Sequence, residues 1–117
     1  MILIVDDDER IRNMLKGLLE REGYETATAS NGGEALAMLQ GNAVDCMLLD
    51  MSMPELNGAQ LLLLMQAEGI ETPVFVVTGF GDFDAEEMSN FANVVGFFNK
   101  PMDMASLVDA VRDVVDA

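Results

Sequence analysis

Ile2-Leu3-Ile4-Val5-Asp6-Asp7 joins four apolar residues to two carboxylates, and the same figure returns along the chain with a different polar end each time. Asp50 follows Cys46-Met47-Leu48-Leu49, Thr78 follows Val74-Phe75-Val76-Val77, and Lys100-Pro101 follows Val94-Val95-Gly96-Phe97-Phe98. Short apolar runs of this kind read as strands. If the strands are parallel, their carboxyl ends share one edge, and ligands of open α/β sheets bind just outside that edge. An acid pair, a lone acid, a hydroxyl and an amine would converge there. That donor set suits a metal ion and a phosphoryl group.

Between the runs the periodicity changes from strand to helix. Ile11, Met14, Leu15, Leu18 and Leu19 follow one helical face, and Gly23 closes that helix. Glu25 to Ala29 alternates polar and small residues as an edge strand would, Asn31-Gly32-Gly33 reads as a turn, and a short helix passes through Ala35, Leu36 and Leu39. Pro54 and Gly58 punctuate a loop before an apolar helix from Ala59 to Ala67, whose run Leu61-Leu62-Leu63-Leu64-Met65 reads as core. A further helix is expected from Phe83 to Ala92, stopping at Asn93, and a last one carries Leu107, Val108, Val111, Val114 and Val115 on its apolar face. Five strands alternating with five helices predict an α/β fold built from βαβ units.

At 117 residues the chain is expected to be one domain, residues 1–117, since about 100 to 200 residues per domain is the prior. The single Cys46 lies in a strand-like run, which predicts a buried thiol in a reducing compartment. No apolar stretch has the length of a membrane span, and the start lacks the basic region of a signal peptide, so a cytoplasmic protein without membrane contact is expected. A net charge of -15, from 21 acidic and 6 basic residues, argues against direct nucleic-acid binding, which needs Lys and Arg for the phosphates. Most of that acidity belongs to solvated surfaces. Most of the ten methionines fall in helix and strand patterns and read as core filling.

Asp6, Asp7 and Asp50 are different, because each follows an apolar run where an uncompensated carboxylate is costly. Three gathered carboxylates would raise one another's pKa, and a hard divalent cation relieves that repulsion. Oxygen donors suit Mg²⁺, whereas a chain with no His and one Cys is poorly equipped for zinc. A carboxylate can also attack phosphorus to give an aspartyl phosphate, with the metal and the Lys100 ammonium stabilising the transferring oxygens.

With these residues in order, the chain resembles the CheY-like receiver domains of two-component response regulators. The resemblance runs from Ile2-Leu3-Ile4-Val5-Asp6-Asp7 through Leu48-Leu49-Asp50-Met51-Ser52-Met53-Pro54 and Gly58 to Val76-Val77-Thr78-Gly79 and Phe97-Phe98-Asn99-Lys100-Pro101. It implies a flavodoxin-like, doubly wound (βα)5 fold with a five-stranded parallel sheet in the order 2-1-3-4-5. It implies Asp50 as phosphoacceptor, Asp7 as direct Mg²⁺ ligand, Asp6 as a ligand through water and the Ser52 main-chain carbonyl as another. By the same resemblance Thr78 is the switch hydroxyl, Phe97 the coupled aromatic, Lys100 the phosphate partner, and Lys100-Pro101 a cis bond. The implied donor is a phosphohistidine on a histidine kinase or histidine phosphotransfer protein, and the output passes to an unidentified partner or a fused output domain. Ser52 and Phe80 are expected to flank the path of a hydrolytic water, with Phe80 slowing hydrolysis.

The chain departs from the family in reading Asn93-Val94-Val95-Gly96 where a Gly-Ala step and acidic residues are usual, and in placing Phe97 where Tyr is common. Two other classes compete. A haloacid-dehalogenase-like phosphatase would use the Asp-x-Asp of Asp6 to Asp8, but it leaves Asp50 unexplained and needs a cap for which the chain has no room. A binding module that has lost phosphorylation would not need the complete acidic pocket and Lys100. Asp8 and Glu9 read as a solvated helix start favoured by the dipole.

Overall fold

The four apolar runs and the alternating segment before Ser30 pair into one parallel sheet. A computed structural model describes residues 1–51, 53, 56–79, 91–100 and 103–116, and the backbone alone of Thr78. Its elements are β1 (Ile2–Val5), α1 (Glu9–Arg21), β2 (Thr26–Ala29), α2 (Gly32–Gly41), β3 (Cys46–Asp50), α3 (Gly58–Ala67), β4 (Val74–Thr78), β5 (Val94–Asn99) and α4 (Met104–Val115). The strand order is β2-β1-β3-β4-β5, all parallel, as expected. The helix expected from Phe83 to Ala92 lies outside the described residues up to position 90, and Phe91 and Ala92 belong to a turn.

Successive residues of a strand face opposite sides of the sheet, so each apolar run feeds two cores. Leu3, Val5, Met47, Leu49, Val74 and Val76 pack against Ala35 and Leu39 of α2 and Leu61, Leu62 and Met65 of α3. Ile2, Ile4, Cys46, Leu48 and Phe75 pack against Leu15 and Leu19 of α1 and Leu107 and Val111 of α4. With both faces covered, a continuous apolar run is what a central parallel strand requires. Met47, Met51, Met53 and Met65 are core fillers.

Local signals set the element ends. Asp8 caps α1 by accepting from the Arg10 N–H at 2.9 Å, and Gly23 follows that helix at φ 93°, a left-handed position that glycine fills without a Cβ penalty. Asn31-Gly32-Gly33, expected as a turn, is instead a cap and the start of α2. The Asn31 Oδ1 accepts from the Glu34 N–H at 2.8 Å, while Glu34 reaches back to the Ser30 N–H and hydroxyl, so the polar side chains draw both glycines into the helix. The leucine run of α3 is a second correction: Leu61, Leu62 and Met65 are buried, but Leu63 is 57% exposed and Leu64 37%. A helix with 3.6 residues per turn cannot turn five consecutive side chains to one core.

At β5 the register slips between Val74 and Phe75, so that Val74 faces Val94 and Phe75 faces Gly96. A side chain at Gly96 would lie 2.7 Å from the Phe75 ring, which instead packs against Phe98 with centroids 6.0 Å apart. The unusual Asn93-Val94-Val95-Gly96 step thus makes a bulge that seats an aromatic ring. At the other end of the chain, α4 is tied back toward the turn after α1: the Tyr24 hydroxyl donates to Asp116 at 2.8 Å, and Arg112 donates to Glu22 at 3.0 Å. Among the described residues, no helix is long and apolar enough to cross a membrane.

Candidate functional site

Strand register brings the polar ends together. Val5 pairs with Leu49, Asp50 with Val77 and Thr78 with Asn99, so Asp6, Asp50, Thr78 and Lys100 all fall at the carboxyl edge of the sheet. Asp6 and Asp50 are buried and Asp7 is exposed, yet a carboxylate oxygen from each can be chosen so that all three lie within 4.8 Å of one another.

Burying carboxylates away from water is costly unless cations and donors replace the lost hydration. The Lys100 ammonium stands 2.9 Å from Asp6 Oδ2 and 3.5 Å from Asp50 Oδ2, bridging the two strand ends. The other Asp6 oxygen, Oδ1, accepts the Asp8 N–H at 2.9 Å. Partial burial by itself would lower the Lys100 pKa, but the hydrogen bond to Asp6 and the charge of Asp50 outweigh it and hold the amine above its ordinary value. Lys100 is therefore a fixed cation. Asp8 is held below the usual carboxylate range by its hydrogen bonds from Arg10, first from the side chain and then from the backbone.

Asp6, Asp7, Asp50 and Lys100 are brought together as the sequence suggested. Thr78 ends β4 one register step beyond the partner of Asp50. Phe97 lies further back in β5, opposite Val76, and the residue is 38% exposed. Ser52, Phe80 and Pro101, and with them the Ser52 carbonyl, the water path and the cis bond, lie outside the described residues. Arg12 was not singled out by the sequence. Its Nη1 donates to the Asp6 main-chain oxygen at 2.6 Å, clamping the backbone that carries the acid pair. The available signal was a cation in the first turns of a helix, where the dipole disfavours it.

The geometry offers oxygen donors for a hard cation, a carboxylate at a strand end and an adjacent ammonium. The family model for the response regulator receiver domain matches residues 2–112. The chain belongs to the response regulator receiver domains. Among solved structures, the receiver domain of the Francisella response regulator 1452 aligns at a TM-score of 0.89 and 27% identity, over 98% of this chain and 95% of that one. The receiver domain of NtrX from Brucella abortus aligns at 0.88 and 28% identity, over 100% and 99%. Among curated proteins, the sporulation initiation phosphotransferase F of Bacillus subtilis is 35% identical over 111 residues, covering 95% of this chain and 90% of its own length. The transcriptional regulatory protein SrrA of Staphylococcus aureus is 44% identical over 81 residues, which is 69% of this chain but 33% of that protein. This receiver domain thus resembles both a protein little longer than itself and one segment of a much longer regulator.

Proposed function

We propose that this receiver domain, residues 1–117, is switched by phosphorylation of Asp50. The observation that carries the reading is the meeting of the Asp6, Asp7 and Asp50 oxygens within 4.8 Å, beside a lysine bridging two of these acids. The donor set is all oxygen, which fits Mg²⁺. Asp7 and Asp50 would hold the ion, with Asp6 acting through water and the Ser52 main-chain carbonyl adding a ligand. When bound, the ion neutralises charge on the phosphoryl oxygens.

The protein's own groups do the rest. An Asp50 carboxylate oxygen attacks the phosphorus of a phosphohistidine, the P–N bond breaks, and the imidazole leaves with its electron pair. Lys100, held cationic, moves from its acid partners toward the phosphoryl oxygens, and a later water returns Asp50 and inorganic phosphate. Because the receiver supplies these groups, it catalyses its own phosphorylation and dephosphorylation.

Thr78 is the proposed hydroxyl that answers the new charge, and Phe97 the ring that follows. A partly exposed Phe97 has an outward position to leave, which supports its role in reshaping the β5 surface. The donor would be a histidine kinase or histidine phosphotransfer protein in the cytoplasm, and the output a separate partner or a fused domain.

Incubation with acetyl phosphate tests the assignment. The unmodified protein should gain one phosphoryl group only with Mg²⁺ present, and Asp50→Asn should gain none while keeping its circular dichroism spectrum. A phosphoryl group on the Asn variant sinks the assignment.

A further inference from the structure

Gly32, in the first turn of α2, is buried against Leu56, two residues before α3. Its N–H donates to the Leu56 carbonyl at 3.2 Å. A Cβ built on Gly32 would stand 2.5 Å from that carbonyl oxygen, 2.9 Å from Leu56 Cγ and 3.0 Å from Leu56 Cβ. The closest of these atoms is backbone, so a rotamer change cannot relieve the contact. Gly33, the next residue, would meet nothing nearer than Asn31 Oδ1 at 3.3 Å, and Gly41 at the far end of the helix would meet nothing. Glycine is a poor helix former, so a close approach gives a reason for it at 32 that is absent at 41.

The described residues on either side of Leu56 are fixed as well. Gly58 packs on the phosphoacceptor's own backbone: a Cβ there would lie 2.8 Å from Met51 Cα and 3.1 Å from the Asp50 carbonyl oxygen, and the Gly58 N–H donates to the Met51 carbonyl at 3.3 Å. At the start of α3, the Asn57 and Gln60 side chains each accept the other's backbone N–H, at 3.0 and 2.8 Å. Gly32 reaches Leu56 from the first turn of another element. Asn31 fixes that turn through its bond to Glu34.

We propose that Gly32 is a positioning residue for the phosphorylation site: by admitting the Leu56 carbonyl against α2, it sets where the Leu56 backbone lies relative to Asp50. The inference rests on Asp50 and its neighbours being that site. Adding a methyl group at 32 must push the Leu56 backbone outward, and misplacement of about 1 Å at a reacting centre can cost on the order of a hundredfold in rate. The helix itself should gain propensity from the same change, so stability and site geometry separate.

Gly32→Ala and Gly33→Ala are compared with the unmodified protein for Mg²⁺ binding, followed by amide chemical shifts, and for the rate of acetyl phosphate labelling. Gly32→Ala should weaken Mg²⁺ binding about tenfold and slow labelling tenfold to a hundredfold, with an unchanged circular dichroism spectrum; Gly33→Ala should match the unmodified protein. Equal behaviour of all three overturns the inference and leaves the site standing, whereas an unmodified protein that binds no Mg²⁺ overturns the site and the inference with it. If Gly32→Ala does not fold, the unmodified protein still decides: its Gly32 amide should shift with added Mg²⁺ while that of Gly41 does not. A Gly32 amide indifferent to Mg²⁺ overturns the proposal.

Discussion

Lys100 decides how two buried acids coexist at the edge of the sheet, and its charge state gives a test at the scale of one residue. Its pKa is raised from 10.5 in the folded state. Its ion pairs therefore stabilise the fold fully below the unfolded value, and the contribution is lost as pH rises through the higher folded one. Lys100→Met removes the ammonium that bridges Asp6 and Asp50, so without Mg²⁺ it should melt below the unmodified protein throughout the neutral range, and the gap should close only above pH 10.5. A gap that closes near neutrality would mean that Lys100 does not carry the pairing. Asp6, Asp7, Asp50 and Lys100 were legible in the sequence because each stands at or one residue past the end of an apolar run. Arg12 was not, because its partner is a main-chain oxygen, which no residue type announces. Gly32 was legible only as punctuation, since a close approach depends on where Leu56 arrives.

At the scale of elements, strand identity followed from the runs themselves, strand order from the family resemblance, and α1 and α4 from their apolar spacing. The errors fell where two signals competed. Asn-Gly-Gly is a turn by composition, yet Asn31 accepts the Glu34 N–H in the first turn of a helix and Glu34 accepts the Ser30 N–H just before it. The five-residue run in α3 looked uniformly buried because composition carries no angle. Leu61→Ala should cost about 2–5 kcal/mol, as buried leucines do. Leu63→Ala, on the exposed side of the same helix, should stay within about 0.5 kcal/mol. Urea denaturation of both decides it, and equal losses would mean that the two residues do not face opposite environments. Breaking the capping box with Asn57→Ala should cost about 1 kcal/mol, read from the same denaturation curves.

For the whole molecule, the sheet with helices on both faces makes Cys46 a reporter of global opening. Burial, with the neighbouring Asp45 charge adding to it, pushes its thiol up to about 12, and the side chain is fully enclosed between the sheet and its helices. A thiol reagent should label Cys46 at a rate that follows global unfolding and falls as stability rises; fast labelling at full stability would contradict the enclosure. The contact joining the two ends of the fold has a practical side as well. The chain holds one tyrosine and no tryptophan, and that tyrosine is Tyr24, hydrogen-bonded to Asp116 just beyond α4. A carboxylate hydrogen-bonded to the phenol should quench its ultraviolet emission, so that emission should gauge whether the last helix is docked, on the opposite side of the molecule's wiring from the acidic pocket. Light from this protein should therefore report its C-terminal latch, and following the proposed phosphorylation site by fluorescence calls for an indole introduced beside Asp50.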